Sequence, residues 1–131
     1  MIKEAYRTYC AGLFEGEGNI RYYEHTTRTG NVKRSIRISI GMTDIYPLQL
    51  FYDIMEVGTL RENAQFGLKS TKPIHIYSAS RFEHVQFIVC NIWDWLSPRR
   101  KEQIKTSITA YTSWKGKRTP YSLSRNEGGG D

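Results

Sequence analysis

The sequence predicts an α+β domain whose elements run αββαββαα. Three observations carry this reading: an apolar repeat at helical spacing over residues 3–16, a strict two-residue alternation over 33–42, and a serine–proline pair at 97–98 that opens a last helix. One antiparallel sheet satisfies the pattern, with helices packed on one face and a charged face left open.

The first helix places Ala5, Tyr6, Tyr9, Cys10, Leu13 and Phe14 on one side, and Gly18-Asn19 offers a left-handed stop. A first strand follows, in which Ile20, Tyr22 and Glu24 alternate with Arg21, Tyr23 and His25. The polar run T-T-R-T-G-N at 26–31 turns the chain into the second strand. There Ile36, Ile38, Ile40 and Met42 share one face, and Lys33, Ser35, Arg37 and Ser39 share the other. After Asp44 comes a short helix with Pro47 in its first turn and Leu48, Phe51, Tyr52 and Met55 on its apolar side, ended by Val57-Gly58. A second hairpin occupies roughly 59–79. A third helix at about 81–95 carries Phe82, Val85, Ile88, Val89 and Ile92. Ser97 caps the last helix, Pro98 takes its first position, and Ile104, Ile108, Tyr111 and Trp114 mark its inner side. Residues 1–114 read as one domain, and the basic, Gly-rich segment 115–131 as a flexible tail.

The 131 residues suit one core; 39% are hydrophobic and 24% charged, as in ordinary globular domains. No apolar run approaches the roughly 18 residues of a membrane span, and M-I-K-E-A-Y-R is no signal peptide, so the expectation is a soluble, intracellular, non-secreted protein. Cys10 and Cys90 stand in apolar surroundings and are expected as two buried free thiols, which suits any intracellular compartment. His25, His75 and His84 lack zinc-ligand spacing. The formal net charge is +6 with a pI near 9.4, and residues 20–42 hold Arg21, Arg28, Lys33, Arg34 and Arg37 against Glu24. That concentration points to nucleic acid.

The most informative stretch is Y-C-A-G-L-F-E-G-E-G-N-I, residues 9–20. Glycine inside a helix costs about 1 kcal/mol relative to alanine. Gly12 and Gly16, four apart, lie on one side, where they allow a second backbone to approach. Glu15 and Glu17 lie at the end of the helix where the macrodipole disfavours carboxylates, by roughly 0.3–1 kcal/mol each. Two readings follow from the residues: solvated surface glutamates, or an oxygen site for a divalent cation completed by unpaired helix-end carbonyls.

C-A-G-L-F-E-G-E-G, Cys10 through Gly18, resembles the LAGLIDADG motif, with cysteine for the first leucine and glutamate for both aspartates. The order of elements over roughly 3–114 also resembles that of the LAGLIDADG homing endonucleases. This resemblance implies a saddle-shaped antiparallel sheet that lies in the DNA major groove. It implies a homodimer joined through Gly12, Gly16 and Glu15, with Mg²⁺ (or Mn²⁺) held by Glu17 and the Gly16 carbonyl. Arg99 would stand near the scissile phosphate, with Arg100 and Lys101 as alternatives, and Asp44 would help to organise water. A basic residue that the family places a turn after Asp44 is replaced here by Leu48. DNA contacts would come from Arg21, Tyr23, His25, Lys33, Ser35 and Arg37, and from Arg61, Asn63 and Lys69 on the second hairpin, with Lys72 and His75 beside them. Site-specific hydrolysis of double-stranded DNA at a pseudo-palindromic site is the function implied, with an intron, an intein or a free-standing gene as the origin, and with no membrane and no small-molecule substrate. A non-cleaving binder on the same scaffold, an intron RNA maturase or a DNA-binding regulator, is the alternative.

Overall fold

The computed structural model describes residues 1–63 and 73–114. Lys69, Lys72 and the segment from 115 onward lie outside the described residues. The elements are α1 (Glu4–Glu17), β1 (Gly18–Thr26), β2 (Val32–Met42), α2 (Ile45–Met55), β3 (Thr59–Asn63), β4 (Ile74–Ala79), α3 (Phe82–Ile92), a 3-10 turn (Trp93–Trp95) and α4 (Pro98–Thr112). The α+β class and the order αββαββαα are those expected, except that the third helix tightens into the 3-10 turn instead of running on to 95.

The four strands form one antiparallel sheet in the order β1-β2-β4-β3. The two hairpins meet where Ile38 pairs with Ala79 and Ile40 with Tyr77. Ile20, Ile36, Ile38, Ile40, Tyr77 and Ala79 are all buried, together with Phe14, Leu48, Phe51, Met55, Val85, Ile88 and Ile92 from the helices. Each isoleucine contributes about 1.5–3 kcal/mol through burial. The core thus lies between one sheet face and the helices, and the opposite face is open. No helix among the described residues is long and apolar enough to cross a membrane.

Local chemistry sets the joints. Thr27 N–H donates to the Asn31 carbonyl at 2.7 Å and Gly30 adopts φ 90°, closing the first hairpin. Asp44 Oδ1 accepts from Tyr46 N–H at 3.0 Å as the N-cap of α2. Gly58, at φ 92°, is required twice over, because a Cβ there would fall 2.6 Å from the Tyr77 hydroxyl. That hydroxyl donates to the Val57 carbonyl at 2.6 Å. Ser97 Oγ accepts from Arg100 N–H at 3.2 Å, and Pro98 begins α4, as expected. At the far end of α4, Arg34 of β2 donates to the Tyr111 carbonyl, and its guanidinium lies 3.9 Å over the Tyr111 ring.

Three expectations are corrected. Gly18 is extended (φ −85°, ψ 166°), not left-handed; it is glycine because a Cβ would sit 2.2 Å from Phe14 Cδ1. Tyr6 and Tyr9 are exposed and Ala11 is buried, so the inward side of α1 runs through Cys10, Ala11 and Phe14. Cys10 is buried, its thiol pushed up to about 12 by desolvation, but Cys90 is exposed, on the outer side of α3.

Candidate nucleic-acid interface and metal site

The open face is built by the pairing of β1 with β2. Arg21 stands opposite Arg37, Tyr23 opposite Ser35 and His25 opposite Lys33. Arg21, His25, Lys33 and Arg37 are exposed, and Tyr23 and Ser35 half-buried. The Arg21 guanidinium lies 5.5 Å over the Tyr23 ring, which in turn lies 6.4 Å from His25. Like charges directly opposite one another destabilise an antiparallel pair, and among the described strands no Asp or Glu occupies a position on this face. Glu24 belongs to the helix side, where it accepts from the Tyr22 hydroxyl at 2.5 Å. A sheet face that sets arginine against arginine without a neutralising carboxylate is electrostatically complementary to a polyanion.

The next row across the sheet is hydroxylic: Ser39 pairs with Ser78, and Ser78 with Thr59. Beyond it Gly41 pairs with Ile76, and Ile76 with Arg61, which is exposed. Asn63 pairs with Ile74. His75, expected beside the binding residues, pairs with Met42 and Glu62 and so falls on the helix side, at a groove it lines with Ile45, Gln49 and Tyr52 of α2. The spacing of β4 alone could not show this. The register against β2 is what assigns the side.

At the end of α1 the acidic residues separate. Glu15 Oε1 accepts from the Ser97 backbone N–H at 2.9 Å, and that bond holds the Glu15 carboxyl below its usual range, with the Arg100 and Arg99 charges assisting. Arg100 Nε and NH2 donate to the Glu15 carbonyl at 3.3 and 3.1 Å, and the Arg100 guanidinium lies 5.1 Å over the Phe14 ring. Arg100 is only 7% exposed, which makes it a buried clamp between α1 and α4. Lys101 rests over Trp93 at 5.4 Å. Arg99 alone of the three is exposed, at the same α1–α4 junction.

Glu17 is exposed, the last residue of α1 and directly before β1. Gly12 and Gly16 are exposed as well, and a Cβ built on either meets nothing within 4 Å. The Phe14 carbonyl accepts from Gly18 N–H and the Glu15 carbonyl from Arg100. The next carbonyl, that of Gly16, has its helical partner position at Ile20, which already belongs to β1. The structure therefore brings Glu15, Gly16, Glu17 and Arg99 to one junction. Asp44 uses Oδ1 as the α2 cap, and its charge is felt at Tyr9, whose hydroxyl is pushed up mainly by desolvation, two turns before Glu17 on α1. Leu48, where the resemblance implies a basic residue, is fully buried in the core. The partly exposed neighbour is Gln49, which donates to Asp53 Oδ1 at 3.0 Å.

No family model matches the sequence, and no curated relative does. Solved structures do match. The intron-encoded homing endonuclease I-CeuI, complexed with DNA, is 13% identical over 86% of this chain with a TM-score of 0.66. I-TnaI, a homing endonuclease, is 15% identical over 82% with a TM-score of 0.63, and the LAGLIDADG meganuclease I-AabMI, bound to uncleaved DNA, is 15% identical over 92% with a TM-score of 0.62. The chain spans 58% of the I-CeuI chain, 74% of I-TnaI and 37% of I-AabMI. I-CvuI, 12% identical with a TM-score of 0.64, was solved with DNA in 2 mM Mg, uncleaved, and with its target in 2 mM Ca. This chain has the fold of the LAGLIDADG homing endonucleases.

Proposed function

We propose that the chain is a site-specific DNA endonuclease that hydrolyses both strands of a pseudo-palindromic duplex as a homodimer, with a divalent cation as cofactor. The observation that carries this reading is the position of Glu17: an exposed carboxylate at the border of a sheet face that, among the described residues, bears cations and no acids. A pure binder gains nothing from a negative charge aimed at phosphates.

Glu17 and the Gly16 carbonyl would hold the ion, since both are hard oxygen donors at a helix end that lacks helical partners. Among the described residues no three His, Cys, Asp or Glu side chains converge, so water and phosphate oxygens would complete the shell. When bound, a divalent ion supplies an activated water and charge compensation for the phosphate and the leaving oxygen. The residues of the chain do the rest. Arg21, Lys33 and Arg37, with Tyr23, Ser35 and His25, grip and read the duplex, Arg61, Asn63 and Lys69 extend the contact, and Arg99 neutralises the phosphate beside Glu17. The water-organising role of Asp44 falls to the carboxyl oxygen not used as the cap. Gly12 and Gly16 admit the same helix of a second copy, which gives one Glu17 per strand.

Two features favour the non-cleaving alternative, a maturase or regulator: the α2 position expected to be basic holds the core residue Leu48, and Asp44 commits one carboxyl oxygen to the α2 cap. The test is digestion of a randomised duplex library with Mg²⁺ or Mn²⁺ by wild type and Glu17→Gln, followed by sequencing of the ends. Defined breaks from wild type alone are expected. Enrichment of bound sequences without breaks in either protein would decide for the binder.

A further inference from the structure

The open sheet face changes character along its length. From the Arg21–Arg37 pair it passes through the hydroxyl row of Ser39, Ser78 and Thr59 to a small apolar patch, where Gly41 pairs with Ile76 and Ile74 follows two residues before it on β4, with Arg61 and Asn63 of β3 as their partners on the other side. An antiparallel sheet with one solvated face ordinarily keeps such positions polar. Here two half-buried isoleucines break the rule on β4, side by side across an exposed glycine on β2.

Gly41 shows what fits between them. A carbon placed at its Cβ position lies 3.7 Å from Ile74 Cγ2, 3.8 Å from the His75 carbonyl oxygen and 3.9 Å from Ile76 Cγ1. These are ordinary van der Waals distances. A base methyl cannot take that bonded position, but with no Cβ on Gly41 it can come down to van der Waals distance of the Gly41 backbone, about 3.5–4 Å, on an exposed spot beside Ile74 and Ile76; this is the seat. Gly41 is not in the left-handed region, so its backbone conformation gives no reason for glycine.

We infer that this seat takes the C5-methyl group of a 5-methylpyrimidine displayed in the major groove. The inference rests on the duplex-binding reading above. In the major groove the methyl is the one apolar mark on a base-pair edge, and apolar side chains are its natural partners. The seat lies on the same face as the cationic pairs, so a duplex held by them presents base edges to it. Gly41 is four residues along β2 from Arg37, about 13 Å at 3.3 Å per residue. The two therefore read different base pairs, the arginine by hydrogen bonding and the seat by shape.

The test begins with binding selection from a randomised duplex library, copied in parallel with dTTP and with partial dUTP. Uracil differs from thymine by the methyl alone. Wild type should exclude uracil at one fixed position, with binding about threefold to fourfold weaker for the lost methyl. Gly41→Ala adds a carbon at distances the fold tolerates and holds a base methyl away from the backbone, so it should melt like wild type and lose the distinction between thymine and uracil at that position. Ile76→Ala should reduce it. Placing 5-methylcytosine there separates the two sources: restored affinity assigns the seat to either methylated base, and unrestored affinity assigns it to thymine. Tight duplex binding with no uracil penalty at any position would overturn the seat and leave the duplex-binding face standing. Failure to bind any duplex would overturn that reading itself.

Discussion

Glu15 and Ser97, 82 residues apart in the chain, are joined by a 2.9 Å hydrogen bond from the Ser97 backbone N–H to Glu15 Oε1. The bond places a carboxylate at the N-terminus of α4, where a helix favours negative charge and has N–H groups to offer. It thereby offsets the unfavourable position of the same carboxylate at the C-terminus of α1. Arg100 returns the link by donating to the Glu15 carbonyl. The α1–α4 junction, with Glu17 and Arg99 on its surface, is thus fixed by a reciprocal pair of charged bonds.

This junction should be sensitive to acid. The folded-state pKa of Glu15 is lowered by the Ser97 bond, so its contribution is present above the usual value of 4.5 and is lost as the pH falls through the folded value. Thermal melts of wild type between pH 3 and 7 should show this loss on the acid side. Glu15→Gln keeps an acceptor but no charge; it should melt lower at pH 7 and give a flatter acid limb. Identical profiles for the two proteins would remove the charge from the account.

Gly18→Ala tests whether Gly18 answers to space and not to conformation. The backbone there is extended and open to any residue, yet a Cβ would overlap Phe14. We expect a loss of about 1–3 kcal/mol in denaturant unfolding, as for an overpacked core. A second change, Phe14→Leu, should recover part of it.

Gly12→Leu separates folding from association. Nothing lies within 4 Å of the added carbon in one chain, so the variant should fold. If the α1 helices of two copies meet there, light scattering should give a dimer for wild type and a monomer for the variant. A dimer of unchanged stability in both would place the association elsewhere.

Arg37→Ala should weaken duplex binding by about 1–3 kcal/mol if the guanidinium contacts a base edge, with sequence preference relaxed at one position. It should also relieve the repulsion with Arg21 and leave the fold intact. Titrations at several salt concentrations give the second readout: the slope of log K against log salt should fall by about one for each phosphate contact removed. A uniform loss with a changed slope would assign Arg37 to phosphate.

Much of this was legible in the residues, because covalent geometry sets local periods. The alternation of Ile36, Ile38 and Ile40 with Ser35, Arg37 and Ser39 assigns core and open faces wherever the strand pairs, and Ser97-Pro98 starts α4 through its own backbone chemistry. The C-A-G-L-F-E-G-E-G stretch carried the fold resemblance through its likeness to the LAGLIDADG motif, not through its local geometry. Distant partners were decided by packing. Nothing near Glu15 announces Ser97, and nothing in R-R-K at 99–101 says that Arg100 turns inward while Arg99 stays out. The side taken by His75 awaited the β2–β4 register, and Cys90 on α3 is exposed because burial follows Val85, Ile88, Val89 and Ile92 around that helix. The methyl seat above Gly41 exists only once β4 lies beside β2, since it is formed by side chains more than thirty residues away from its floor.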